Sequence, residues 1–150
     1  MGFVFRLERV LRLRLKERDE AAIKNALAAR MLNEAREALA ALEGELDDTE
    51  ALLDRIKRAD QLDGETLHYH RLHCVGLAMD IRQAEYQVMK CNEEVALAAQ
   101  LLIEAHKASE ILEKLKEHEV EEWRQEEHRK EVIKMDEVAV SGFRKKEVSK

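Results

Sequence analysis

The chain has 150 residues, of which 39% are charged, 45% apolar and only 4% aromatic, and it contains no proline. So few aromatics leave little with which to fill a globular core, since these side chains usually supply much of its buried area; Ala, Leu, Glu, Lys and Arg in abundance suit long solvated helices with a narrow apolar stripe. The apolar share is too high and too periodic for a disordered tail, no segment alternates strictly enough to be a strand, and the longest apolar run, 95–103, is broken by Gln100 and too short to span a bilayer.

The net charge of −6 is unevenly spread. Six basic residues (Arg6, Arg9, Arg12, Arg14, Lys16, Arg18) face only Glu8 and Glu17 in the opening stretch, whereas every charge from Glu43 to Asp54 is acidic. The close is basic again, at Arg144, Lys145, Lys146 and Lys150. Such asymmetry bears on partners rather than on fold. The opening Met1 to Arg6 has no signal-peptide apolar region, and Arg6 breaks the myristoylation pattern. The expectation is a soluble, unprocessed cytosolic chain that meets a membrane only peripherally.

Helix one is expected over about residues 4–60. Steps of four and three pick out Leu7, Leu11, Arg14, Arg18, Ala21, Asn25, Ala28, Leu32, Ala35, Leu39, Leu42, Leu46, Thr49, Leu53 and Ile56. A sustained 3.5-residue repeat keeps one seam turned toward a partner helix, which is the signature of a coiled coil. After Ala28 only Thr49 breaks the apolar set, so the polar interruptions gather at the N-terminal end. Gly44 reads as a close-packing or flexible point within the helix.

The turn falls at about 60–66, where Asp60, Asp63 and Gly64 carry the strongest turn chemistry of the chain. Gly64, lacking a Cβ, could end helix one in the left-handed conformation. Helix two follows over about 67–140, with a seam at Cys74, Leu77, Ile81, Ala84, Val88, Cys91, Val95, Ala98, Leu102, Ala105, Ser109 and Leu112. Gly76 reads like Gly44. Beyond Leu115 the seam weakens and its register shifts through Val120, Trp123, Val132, Met135 and Val138, and residues 141–150 read as a frayed basic tail.

The fold class is therefore all-α: a single domain of two long helices, about 55 and about 70 residues, folded into an antiparallel two-helix coiled coil ~80–100 Å long. The short connection favours the hairpin over a parallel dimer running through the turn.

Motifs for chemistry are missing. There is no phosphate-cradling glycine loop, no Gly-x-Ser-x-Gly and no His-Glu-x-x-His. The carboxylates lie on solvated helix faces, without the burial that sets an acid and a base apart. The chain is read as a non-enzyme with no cofactor. His70, His73 and Cys74 have helical spacings that could hold Zn²⁺. Structural zinc, however, needs a fourth ligand, and Cys74 fits the seam, so the cluster reads better as a polar turn near the hairpin tip. Cys74 and Cys91 are 17 residues apart on one helix, too far to pair, and suit a reducing compartment as small seam residues. The basic N-terminus is interleaved with Leu7, Val10, Leu11, Leu13 and Leu15 and has no aromatic platform, which favours a protein or membrane surface over nucleic acid.

The opening run Phe3 to Arg14, the stretch Ala108 to Glu117, and Lys134 to Ala139 followed by Phe143 to Lys146 together resemble the FliJ family of flagellar type III export stalk proteins, also called flagellar export chaperones. The order of these motifs, the length and the mid-chain hairpin extend the resemblance over nearly the whole chain. It implies a fold similar to the central stalk of rotary ATPases, whose terminal end enters the export ATPase ring and promotes its assembly and turnover. It also implies contact of the hairpin region with the cytoplasmic domain of the export gate at the inner membrane, and engagement of export chaperones. On this resemblance Arg9, Arg12, Arg14, Arg18, Asp136, Glu137, Arg144 and Lys145 would face the ATPase, and Leu42, Leu46, Tyr69, Leu72 and Met79 the gate. Leu42 and Leu46 equally fit the intramolecular seam. The stalk of a virulence-type injectisome and a plain coiled-coil scaffold are the alternative readings.

Overall fold

The computed structural model describes residues 2–149. It contains two helices, α1 (Glu8–Arg58) and α2 (Gly64–Val148), and no strand among the described residues. The helices pack against each other as an antiparallel hairpin. Their lengths, 51 and 85 residues, follow from uninterrupted runs of strong helix formers without proline. Neither could bury its stripe alone, and the short connection supplies the other as partner.

The chain divides into two compact units, one formed by the segments up to Arg18 and from Ala105 onward, the other by Asp19–Glu104. In the terminal unit the antiparallel order is marked by Phe3 against Trp123, Glu8 against Lys116 and Arg18 against Glu113. In the hairpin unit it is marked by Arg36 against Asn92 and Glu45 against His73.

The expected seam is the observed one with one adjustment. Its members Leu11, Leu32, Thr49, Leu53, Leu77 and Ser109 are buried, as is Phe5 in the segment before α1, and all other predicted seam positions but Arg14 are half-buried, because two helices cannot enclose a side chain on every side. Arg14 is the exception: it is exposed and pairs with Glu17 on its own helix at 2.9 Å, while Leu15 takes the inward place. The steps there run Leu11, Leu15, Arg18. Burying an aliphatic side chain is worth about 1.5–3 kcal/mol, whereas burying an arginine needs a partner, so the register moves by one residue. The two buried polar positions of the seam are satisfied within their own helices. The Thr49 hydroxyl donates to the Glu45 carbonyl at 2.8 Å, and that of Ser109 to the His106 carbonyl at 2.9 Å.

The turn is built differently from the expectation. Gly64 does not close α1 in the left-handed conformation; no described residue has positive φ, and Gly64 is the first residue of α2. Asp63 caps that helix. Its carboxylate accepts from the Glu65 backbone N–H at 3.1 Å and from the Thr66 hydroxyl at 2.6 Å, and its carbonyl accepts from the Leu67 N–H at 3.1 Å. α1 ends instead in a tightened turn, Ala59 N–H to the Ile56 carbonyl. Gly44 and Gly76 are not close-packing points either, since a Cβ at each would meet open space. Residues 141–148, read from sequence as a tail, continue α2; Lys150 lies outside the described residues.

Candidate interaction surfaces

In the terminal unit, residues 3–7 precede α1 and fold onto α2. Phe5 is buried, and the Lys116 ammonium lies 6.0 Å from its ring centroid. Phe3 stacks obliquely on Trp123 at 6.2 Å. Lys116 also donates to Glu8 at 2.8 Å, and this hydrogen bond chiefly holds the Glu8 carboxyl below its ordinary range. Lys116 therefore fixes both the first turn of α1 and the segment before it.

The arginines assigned to the ATPase side lie in this unit. Arg9 is exposed, Arg12 is exposed and 3.6 Å from Glu8, and Arg14 pairs with Glu17. Arg18 is half-buried and reaches Glu113 across the helix pair at 3.7 Å. On α2, Lys114 donates to Glu110, which lowers the carboxyl's pKa and raises the ammonium's. Among the described residues past Trp123 only Glu127 is even half-buried. Asp136, Glu137, Arg144 and Lys145 are exposed, beside exposed Val132, Ile133, Val140 and Phe143. A shallow depression over Ile133, Asp136, Val140 and Arg144 follows one side of the helix.

In the hairpin unit the five residues assigned to the gate separate into two groups. Leu42 and Leu46 are half-buried on the seam. Tyr69, Leu72 and Met79 are exposed on α2, at 68%, 58% and 67%. Val75 and Tyr86, which sequence reasoning did not single out, are exposed too, and Leu72, Val75, Met79 and Tyr86 are spaced three, four and seven apart. That spacing places them on one stripe roughly half a turn from the seam. The signal was in the sequence as a second heptad-like repeat, masked by the stronger one. Lys90 lies 5.1 Å from the Tyr86 ring centroid.

The histidine cluster does not assemble. His73 meets Glu45 at 3.2 Å, His70 packs edge-on against Tyr69, and Cys74 is half-buried at its seam position. Among the described residues no group of three or more His, Cys, Asp or Glu side chains could hold a metal ion. Cys74 and Cys91 are free. No helix among the described residues is long and apolar enough to cross a membrane.

The solved structure of a proposed YscO homolog, CT670, from Chlamydia trachomatis is similar, with a TM-score of 0.53 at 22% identity over 92% of this chain and 93% of that one. That likeness concerns the fold. No curated protein matches the sequence. The family model described as flagellar FliJ protein matches residues 3–148, nearly the full length and both helices, and the chain belongs to that family.

Proposed function

We propose that this chain is the non-enzymatic stalk of a flagellar type III protein export apparatus. Its terminal unit would sit in the export ATPase ring and promote ring assembly and turnover. Its hairpin unit would contact the cytoplasmic domain of the export gate on the inner face of the membrane, and the chain would also engage export chaperones. The observation that carries the reading is the family match over residues 3–148. The surfaces support it, because a stalk needs a stiff body and groups left over for its neighbours.

The ATPase contact is assigned to Arg9, Arg12, Arg14, Arg18, Asp136, Glu137, Arg144 and Lys145. Arg12 and Arg14 are themselves exposed, and each pairs with a half-buried glutamate of its own helix, Glu8 and Glu17. Surface pairs of this kind contribute little, so acidic groups of a ring could replace them without a large cost. The gate contact is assigned to Tyr69, Leu72 and Met79, with Leu42 and Leu46 acting from the seam by holding α1 behind them. The role is mechanical: a helix pair whose seam is set by packing transmits asymmetry or rotation without doing chemistry.

The test is a titration of the chain into the flagellar export ATPase of the same organism, following ATP hydrolysis and hexamer formation together. A saturable rise in both, near one stalk per ring, is expected. A helical, well-folded chain that neither binds nor stimulates would leave a plain coiled-coil scaffold.

A further inference from the structure

Residues 124–148 of α2 form a helix with little packed on it: among the described residues Trp123, against which Phe3 stacks, is the last to make a ring contact, and only Glu127 beyond it is half-buried. A single helix in water is marginal, and its apolar residues then stay wet. This segment nevertheless carries an organised face. At 100° per residue, Val132, Ile133, Asp136, Ala139, Val140 and Phe143 fall within an arc of about 120°. The face is turned roughly half a turn from the seam positions Leu112, Lys116 and Val120, so it does not simply prolong the hairpin seam. Its large apolar members are exposed, from 43% at Val132 to 74% at Phe143.

We propose that this face is a self-association surface on which two copies of the chain pair α2 antiparallel, about a two-fold axis at Val140. The charge pattern selects this occupant. Antiparallel pairing about Val140 sets Asp136 opposite Arg144 of the second copy and, by symmetry, Arg144 opposite its Asp136. Glu137 and Arg144 lie on the same flank of the face, about 20° apart, and a two-fold axis brings like flanks together. Each copy therefore supplies Asp136 and Glu137 to the other's Arg144. None of these three has an ion-pair partner within the described chain. Parallel pairing in register would instead set Asp136 against Asp136 and Arg144 against Arg144. Val140 meets Val140 at the centre, and Phe143 meets the other copy's face near Asp136 and Glu137, so the buried carboxylate fixes register as a lone polar residue does in a coiled coil. The pairing uses only α2 beyond Trp123 and leaves the segment Phe3 to Phe5 on its own site. An overlap over 132–148 is short, so a weak dimer is expected.

The test is sedimentation equilibrium of the full chain alone, from about 1 to about 200 µM, the range in which a weak dimer dissociates. It requires no export component, so its result does not depend on the stalk reading; the two meet only in that pairing and ring contact would compete for Asp136, Glu137 and Arg144. The expected result is a reversible monomer–dimer equilibrium. V140D should weaken it at least tenfold, about the effect of losing a central contact. The double variant D136R/E137R should weaken it similarly, and adding R144E should restore dimerisation, because the signs are then exchanged. Circular dichroism checks that each variant keeps its helix. A chain that stays monomeric throughout, or a dimer that V140D leaves unchanged, overturns the proposal. Failure of the charge exchange to restore dimerisation overturns the antiparallel pairing.

Discussion

Asp63 decides where α2 begins, and it does so with one carboxylate that accepts from a side-chain hydroxyl and a backbone N–H. The Thr66 hydroxyl, followed by the backbone donors of Glu65 and Thr66, holds its pKa below the ordinary 3.8. A depressed folded pKa gives stability that is present above the ordinary value and is lost as the pH falls through the folded one. Asp63→Ala should therefore lower the melting temperature at neutral pH by about 2–4 °C through loss of the cap. Asp63→Asn, also a good cap, should keep the neutral-pH value and lose part of the drop seen in acid below about pH 4. Thermal melts at several pH values separate the two, and identical acid profiles for Asp63→Asn and the parent chain would refute the cap's part in it. Ser109 offers a second residue-scale test. It is 0% exposed, at a seam position that only a small side chain fits. Ser109→Leu should destabilise by about 1–3 kcal/mol through overpacking, read by chemical denaturation.

Among the elements, α2 is not uniform. Up to Trp123 it has α1 or the segment before it as a neighbour, and beyond that point its side chains are exposed almost without interruption. Backbone amides past about residue 128 should then exchange with solvent faster than those around Leu77 or Ser109, which are buried. Hydrogen exchange on a dilute sample measures this directly. Equal protection along α2 would mean that the C-terminal turns are held by something besides the intramolecular seam. Leu77→Ala should cost about 2–4 kcal/mol, since Leu77 is 4% exposed and the seam has few other fully covered leucines to compensate.

For the whole molecule, the export reading is tested at the charges of the terminal unit. Arg12→Glu with Arg14→Glu removes two exposed cations whose pairs contribute little to folding. The double variant should keep its helix content and melting temperature to within about 2 °C while losing stimulation of the export ATPase. Unchanged stimulation would remove the terminal face from the proposal. Tyr69, Leu72 and Met79 are exposed in the same sense. Their replacement by alanine should leave stability nearly unchanged and act only on contact with the gate.

The sequence by itself determined the helix pair and its seam. A 3.5-residue repeat of apolar positions on both sides of a short turn favours one antiparallel pair, and Leu32, Leu53 and Leu77 are covered where that repeat puts them. It also carried the family, through motifs spread along both helices. Tertiary structure decided what periodicity leaves degenerate. It turned Arg14 outward and Leu15 inward, because the cost of burying an unpaired guanidinium outweighs an even heptad. It made Gly64 the start of α2, because the Asp63 carboxylate satisfies the helix's free N–H groups where an αL glycine would have closed α1. It parted Leu42 and Leu46 from Tyr69, Leu72 and Met79, since an apolar side chain reads the same in sequence whether it faces a neighbouring helix or solvent, and only the packing of α1 on α2 separates the two.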